Sequence, residues 1–277
     1  MLLRTGFEVI YSFPQPTPAI LVVNIHDSRA ADIVVPDYLV TEPPIPVTGY
    51  RDAFGNQCKR MLAPAGRIRL STNCVIRDHG QPDERIFAAV QDSVDDLPED
   101  LLVFLLGSRY CETDRLSETA WQLFSQVAPG YPRVQAICDY VHNQIAFNYQ
   151  NASPTRSALE ALTERTGVCR DYAHLAIAFC RCMNIPARYC TGYLSDLGTP
   201  PPYGVGDFAA WFEAWIGGRW HTFDPRNNMP RVGRVLMARG RDASDVAIAT
   251  TFGPNTLERF RVWTDEIPAG GIAEACA

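Results

Sequence analysis

The stretch Gly167–Pro186, GVCRDYAHLAIAFCRCMNIP, constrains the fold more than any other part of the chain. Gly167 breaks what precedes it and Pro186 forbids continuation. Between them Tyr172, Leu175, Ala176, Phe179 and Met183 recur at the spacing of a helix with one core-facing stripe. Ala187–Leu194 then reads as a strand, and the proline-rich stretch 199–206 as a loop. Two further strands, Phe208–Ile216 and Arg219–Phe223, are joined by Gly217-Gly218. That pair is a strong hairpin signal, because a two-residue type I′ turn needs positive φ at both positions. A central helix followed by antiparallel strands predicts an α+β core, with helices packed on an antiparallel sheet.

Upstream the pattern changes. Phe7–Phe13, Ala19–Ile25, Tyr38–Val40 and Arg67–Ile76 alternate or carry β-branched runs between proline-rich turns, which predicts strands over the first hundred residues. The acidic, turn-rich segment 81–101 marks the expected boundary, dividing a β-rich domain (1–100) from the core domain (101–277). Beyond it Thr113–Gln126, Pro132–Ile145 and Ser157–Arg165 read as helices, the first with Thr113 as cap and the second with Pro132 in its first turn.

Composition narrows the function class. A formal net charge of −6 argues against a nucleic-acid partner. No apolar run approaches the roughly 20 residues of a membrane helix, so a soluble, cytoplasmic protein is expected. Nine cysteines with no CxxC pair suggest reduced, buried thiols rather than disulfides or a metal site. Lys59 is the only lysine, so the cationic chemistry falls to arginine, which favours fixed pairs with carboxylates.

Cys169 differs from the other cysteines in standing at the first turn of the central helix. Free backbone N–H groups and the positive end of the helix dipole favour thiolate there and could receive an oxyanion. The hairpin register puts Ala209, Trp211 and Glu213 on one face with Trp220, Thr222 and Asp224. His221 falls on the other face with Phe212 and Ala214, and His174 lies about 140° around the helix from Cys169.

The segments GVCRDYAHLAIAFCRCMNIPARYCTGYL and DFAAWFEAWIGGRWHTFDPRNN resemble the core of bacterial transglutaminase-like proteins, a superfamily that includes proteins regarded as cysteine proteases with a β-rich N-terminal domain. GRDASDVA (240–247) resembles a further family feature, with Ala243 where a tyrosine is usual. The resemblance implies a papain-like, transglutaminase-like core in which Cys169 is the nucleophile and Asp224 the orienting carboxylate. The family's histidine position is Ala209, and without an imidazole the acid–base assistance commonly worth about 10²–10⁴ in rate is lost.

Two functions are expected from this pattern. One is a cysteine hydrolase or acyl transferase acting on peptide or side-chain amides through a thioester, with hydrolysis favoured over crosslinking. The other is a catalytically impaired relative that binds a peptide or protein partner in the former active-site cleft. Trp211, Trp220, Glu213 and Tyr149 are expected to line the cleft, Glu213 as a substitute base or a salt-bridge partner and Tyr149 as an oxyanion donor. Neither metal nor organic cofactor is implied, and the sequence leaves the oligomeric state open.

Overall fold

The computed structural model describes residues 1–201, 204 and 206–268. Seven strands come first: β1 (Leu2–Phe13), β2 (Thr17–Leu21), β3 (Ile33–Val35), β4 (Val40–Glu42), β5 (Val47–Arg51), β6 (Gln57–Ala63) and β7 (Gly66–Arg77). Helices α1 (Thr113–Phe124) and α2 (Tyr131–Gln144) follow, then β8 (Ala146–Phe147), α3 (Ala158–Glu164), β9 (Thr166–Gly167) and the long α4 (Cys169–Cys182). The chain continues with β10 (Ala187–Leu194), β11 (Ala209–Ile216), β12 (Arg219–Phe223), β13 (Arg234–Gly240), β14 (Ala249–Thr251) and β15 (Thr256–Ile267).

The expected α+β architecture is present. The core sheet runs β12-β11-β10-β13, antiparallel throughout. Helix α4 packs on β10 and β11, and α1, α2 and α3 pack against α4. Rather than burying one stripe, α4 is buried at every residue from Asp171 to Cys182. A helix enclosed on all sides tolerates polar groups only if each has a partner. Arg181 meets that demand by donating to the carbonyls of Ala187, Leu106 and Arg241, which ties the end of α4 to its surroundings.

The hairpin register is as expected from Ile216↔Arg219 to Phe212↔Phe223, with Gly217 and Gly218 both at positive φ. Its extrapolation to Trp211↔Asp224 and Ala209↔Arg226 goes beyond the ladder, because β12 ends at Phe223 and the chain turns at Asp224.

Two further sheets, β15-β1-β7-β3 (with β4 also on β7) and β14-β2-β6-β5, gather their apolar residues into a second core around Leu3, Phe7, Leu21, Ile68 and Leu70. Here the chain crosses the division expected at residue 100. β15 pairs with β1 along its whole length and β14 pairs with β2, so the C-terminal strands complete sheets begun by the first residues. Among the described residues no helix is long and apolar enough to cross a membrane.

Candidate active site

The first turn of α4 is held by Asp171, which is fully buried. Its Oδ2 accepts the Val168 N–H at 2.9 Å, satisfying one of the donors a helix start leaves free. Arg156 and Arg170 flank the same carboxylate at 3.4 and 3.3 Å. Gly167 is required there: a Cβ at this position would stand 2.7 Å from Asp171 Oδ2. Glycine before the cysteine therefore makes room for the cap that fixes the cysteine.

Cys169 opens the helix into a cleft of about 390 Å³, whose walls include Phe147, Tyr149, Asp207, Ala209, Ala210 and Arg226. The Ala210 backbone N–H donates to its sulfur, and Arg226 lies close enough to favour thiolate. Burial and the charges of Asp207 and Asp224 act the other way, and the thiol is pushed up to about 12. The depression expected from helix position alone is thus overturned by desolvation, which penalises the anion more than these dipoles and one arginine favour it. At neutral pH the sulfur carries its proton.

Ala209 lines the same cleft, at the start of β11. Alternation sends Ala210, Phe212, Ala214 and Ile216 into the core that contains α4, leaving Ala209 with Trp211 and Glu213 on the other side of the strand. Asp224 ends β12 as a turn former: its Oδ1 accepts the Asn227 N–H at 3.0 Å and its Oδ2 the Asn227 side-chain amide at 2.7 Å. The same Oδ2 accepts from buried Arg234 at 3.0 Å, and Arg234 also pairs with Asp83 at 2.9 Å. Asp224 therefore sits in an Asp83–Arg234–Asp224 network, with an arginine on the carboxylate that an orienting role would aim at imidazole.

Three of the expected cleft residues stand elsewhere. Trp211 is fully buried beneath the Arg234 guanidinium, 4.7 Å from its ring centroid. Glu213 is bound by Arg188 at 2.6 Å, and Arg188 also lies 3.9 Å over the Trp220 ring. Trp211 and Glu213 line a different polar cleft, shared with Asp78, Asp83 and Arg234, and Glu213 is not at hand as a base for Cys169. Trp211 and Glu213 share the face of Ala209 but lie further along β11, where that face meets residues of the β-rich half such as Arg29 and Asp78. Tyr149 does line the Cys169 cleft, but its hydroxyl donates to Asp207 Oδ2 at 3.2 Å rather than standing free for an oxyanion. Asp207, two residues before Ala209, was not singled out by sequence reasoning, since no motif marks it.

No described histidine lines this cleft. His174 is buried and neutral, lowered to about 3 by desolvation, and its Nε2 accepts the Ala243 N–H at 3.1 Å while Tyr110 stacks on the ring. His221 lies on the α4 side and meets the Ile216 carbonyl at 3.0 Å. His142 meets the carbonyls of Pro225 and Arg226, both at 3.1 Å.

The model of the transglutaminase-like superfamily matches residues 118–225, a span that runs from α1 to just past Asp224. The crystal structure of a candidate cysteine protease from Cytophaga hutchinsonii superposes with a TM-score of 0.80 at 32% identity, over 96% of this chain and 90% of that one. The chain belongs to the transglutaminase-like superfamily. An uncharacterized protein of Mycobacterium leprae is 40% identical over 98 residues, which is 33% of each chain. One of Mycobacterium tuberculosis is 35% identical over 179 residues, 58% of this chain and 55% of the relative. The chain thus spans a third and about half of the length of these two relatives.

Proposed function

We propose that the protein is a cysteine acyl-transfer enzyme that cleaves peptide or side-chain amides through a thioester on Cys169, with water as the usual acceptor. The observation that carries this reading is the placement of Cys169: it opens α4 into a solvent-reaching cleft, with the Ala210 N–H at its sulfur. Sulfur attacks the substrate carbonyl, and the N–H groups at the start of α4 receive the developing oxyanion. Arg226, Arg231, Asp196 and Asp265 all line the cleft and suit a polar peptide backbone with charged neighbours. A peptide or protein substrate and a reducing, cytoplasmic setting complete the reading; eight cysteines of the described residues are all free thiols.

A second reading has its own support. The thiol is protonated, and the Asp224 carboxylate is taken by Arg234 and Asn227, so the cleft can hold a peptide without turning it over. Ala209→His separates the two. Under the first reading the unmodified protein hydrolyses an activated amide in a Cys169-dependent manner, and the histidine raises that rate by about 10²-fold or more. No Cys169-dependent turnover before the change, and turnover after it, would leave only the binding role.

A further inference from the structure

A thiol attacking an amide must lose its proton, and the cleft holds no imidazole to take it. It does hold carboxylates, and of the two whose charges reach the sulfur, Asp207 and Asp224, Asp207 acts the more strongly. Asp207 has one donor on each oxygen, the Phe208 N–H on Oδ1 at 2.7 Å and the Tyr149 hydroxyl on Oδ2 at 3.2 Å. Among the described residues no arginine pairs with it, whereas Asp224 is bound to Arg234 and Asp196 lies 3.6 Å from Arg231. Asp207 and Cys169 line one cleft, and the Ala210 N–H donates to the sulfur.

We propose that Asp207 is the proton acceptor for Cys169, doing from two residues upstream what the family's histidine would do from position 209, with Tyr149 orienting its carboxylate. This rests on the acyl-transfer reading above. As sulfur bonds to the acyl carbon, the thiol proton moves to Asp207 and the carbonyl π pair to oxygen. When the tetrahedral species collapses, the C–N bond breaks and the amine leaves with the proton from Asp207. Water then attacks the thioester, gives its proton to Asp207, and the expelled sulfur takes that proton back. Burial raises the proton affinity of Asp207, which makes it a better acceptor than an exposed aspartate.

The same charge opposes ionisation of Cys169, so a base and a mere electrostatic neighbour give opposite results when it is removed. The test compares wild type, Asp207→Asn and Cys169→Ala for release of p-nitroaniline from an acyl p-nitroanilide and for iodoacetamide alkylation of Cys169 at pH 7.5. The expected result for Asp207→Asn is a Cys169-dependent release slowed by about 10²-fold, together with alkylation sped up severalfold. Alkylation needs no proton returned to a leaving group, whereas an amide must leave as the protonated amine, so the two rates part only if Asp207 carries the proton from sulfur to nitrogen. Both rates rising together in Asp207→Asn would overturn the Asp207 assignment and leave the acyl-transfer reading standing. Release in Cys169→Ala equal to wild type would overturn both. If Asp207→Asn does not fold, judged by near-UV circular dichroism, Asp207→Ser reads the same split.

Discussion

Alkylation of Cys169 against pH examines the site where sequence position and three-dimensional environment disagree. A thiol pushed up to about 12 is ionised to about one part in 10⁴ at pH 8, against roughly a quarter for an ordinary thiol near 8.5. The more basic thiolate is also the better nucleophile, by roughly 10^1.5 over that interval at a Brønsted slope of about 0.4–0.5. The net deficit is roughly 10²-fold relative to a free cysteine. Iodoacetamide labelling from pH 6.5 to 9, read peptide by peptide by mass spectrometry, gives the Cys169 rate, and the same chain in urea gives the reference. The expected profile rises tenfold per pH unit across the range and stays about 10²-fold below the unfolded control at pH 8. A plateau beginning below pH 8 would refute the reasoning, because the helix terminus, the Ala210 N–H and Arg226 would then outweigh desolvation.

Two predictions concern stability. Burial pushes Cys74, Cys111 and Cys169 up to about 12 and Cys182 to about 11, while the unfolded chain titrates these thiols near 8.5. Their folded pKa is the higher one, so their contribution is complete below about pH 8.5 and is lost as pH rises towards 11–12. At pH 9.5 each costs about 1.4 kcal/mol, about 5.6 kcal/mol for the four, and urea midpoints should fall steeply from pH 8.5 to 10; constant midpoints would contradict the burial argument. Replacing Arg234 by Met leaves Asp83 and Asp224 without their shared cation, at an expected cost of about 3–5 kcal/mol in thermal or urea unfolding. A loss under about 1 kcal/mol would show that this network contributes little.

The parts of the molecule legible in the sequence are those set by local periodicity. Gly167, Pro186 and the Gly217-Gly218 turn bound α4 and register β11 on β12, and both elements appear where the pattern puts them. The pairing of β15 with β1 escaped because it joins residues at opposite ends of the chain, such as Leu2 and Ile267, with no local signal for either partner. At the site, alternation identified correctly that Trp211 and Glu213 share a face, but not which layer covers that face. Assigning the face to the cleft put Trp211, Glu213 and Trp220 in the wrong place, since Arg234 and Arg188 cover them. The ionisation of Cys169 is set beyond the reach of sequence for a related reason: a helix N-terminus is visible in sequence, whereas desolvation by burial is a tertiary effect.

The central claim, that Cys169 forms an acyl intermediate, is tested most directly by intact-mass spectrometry of the protein quenched in acid after mixing with p-nitrophenyl acetate. The account predicts one added acetyl group, mapped to Cys169, cleaved by hydroxylamine and absent in Cys169→Ala. Acetylation spread over other nucleophiles, or unchanged when Cys169 is replaced, would contradict it.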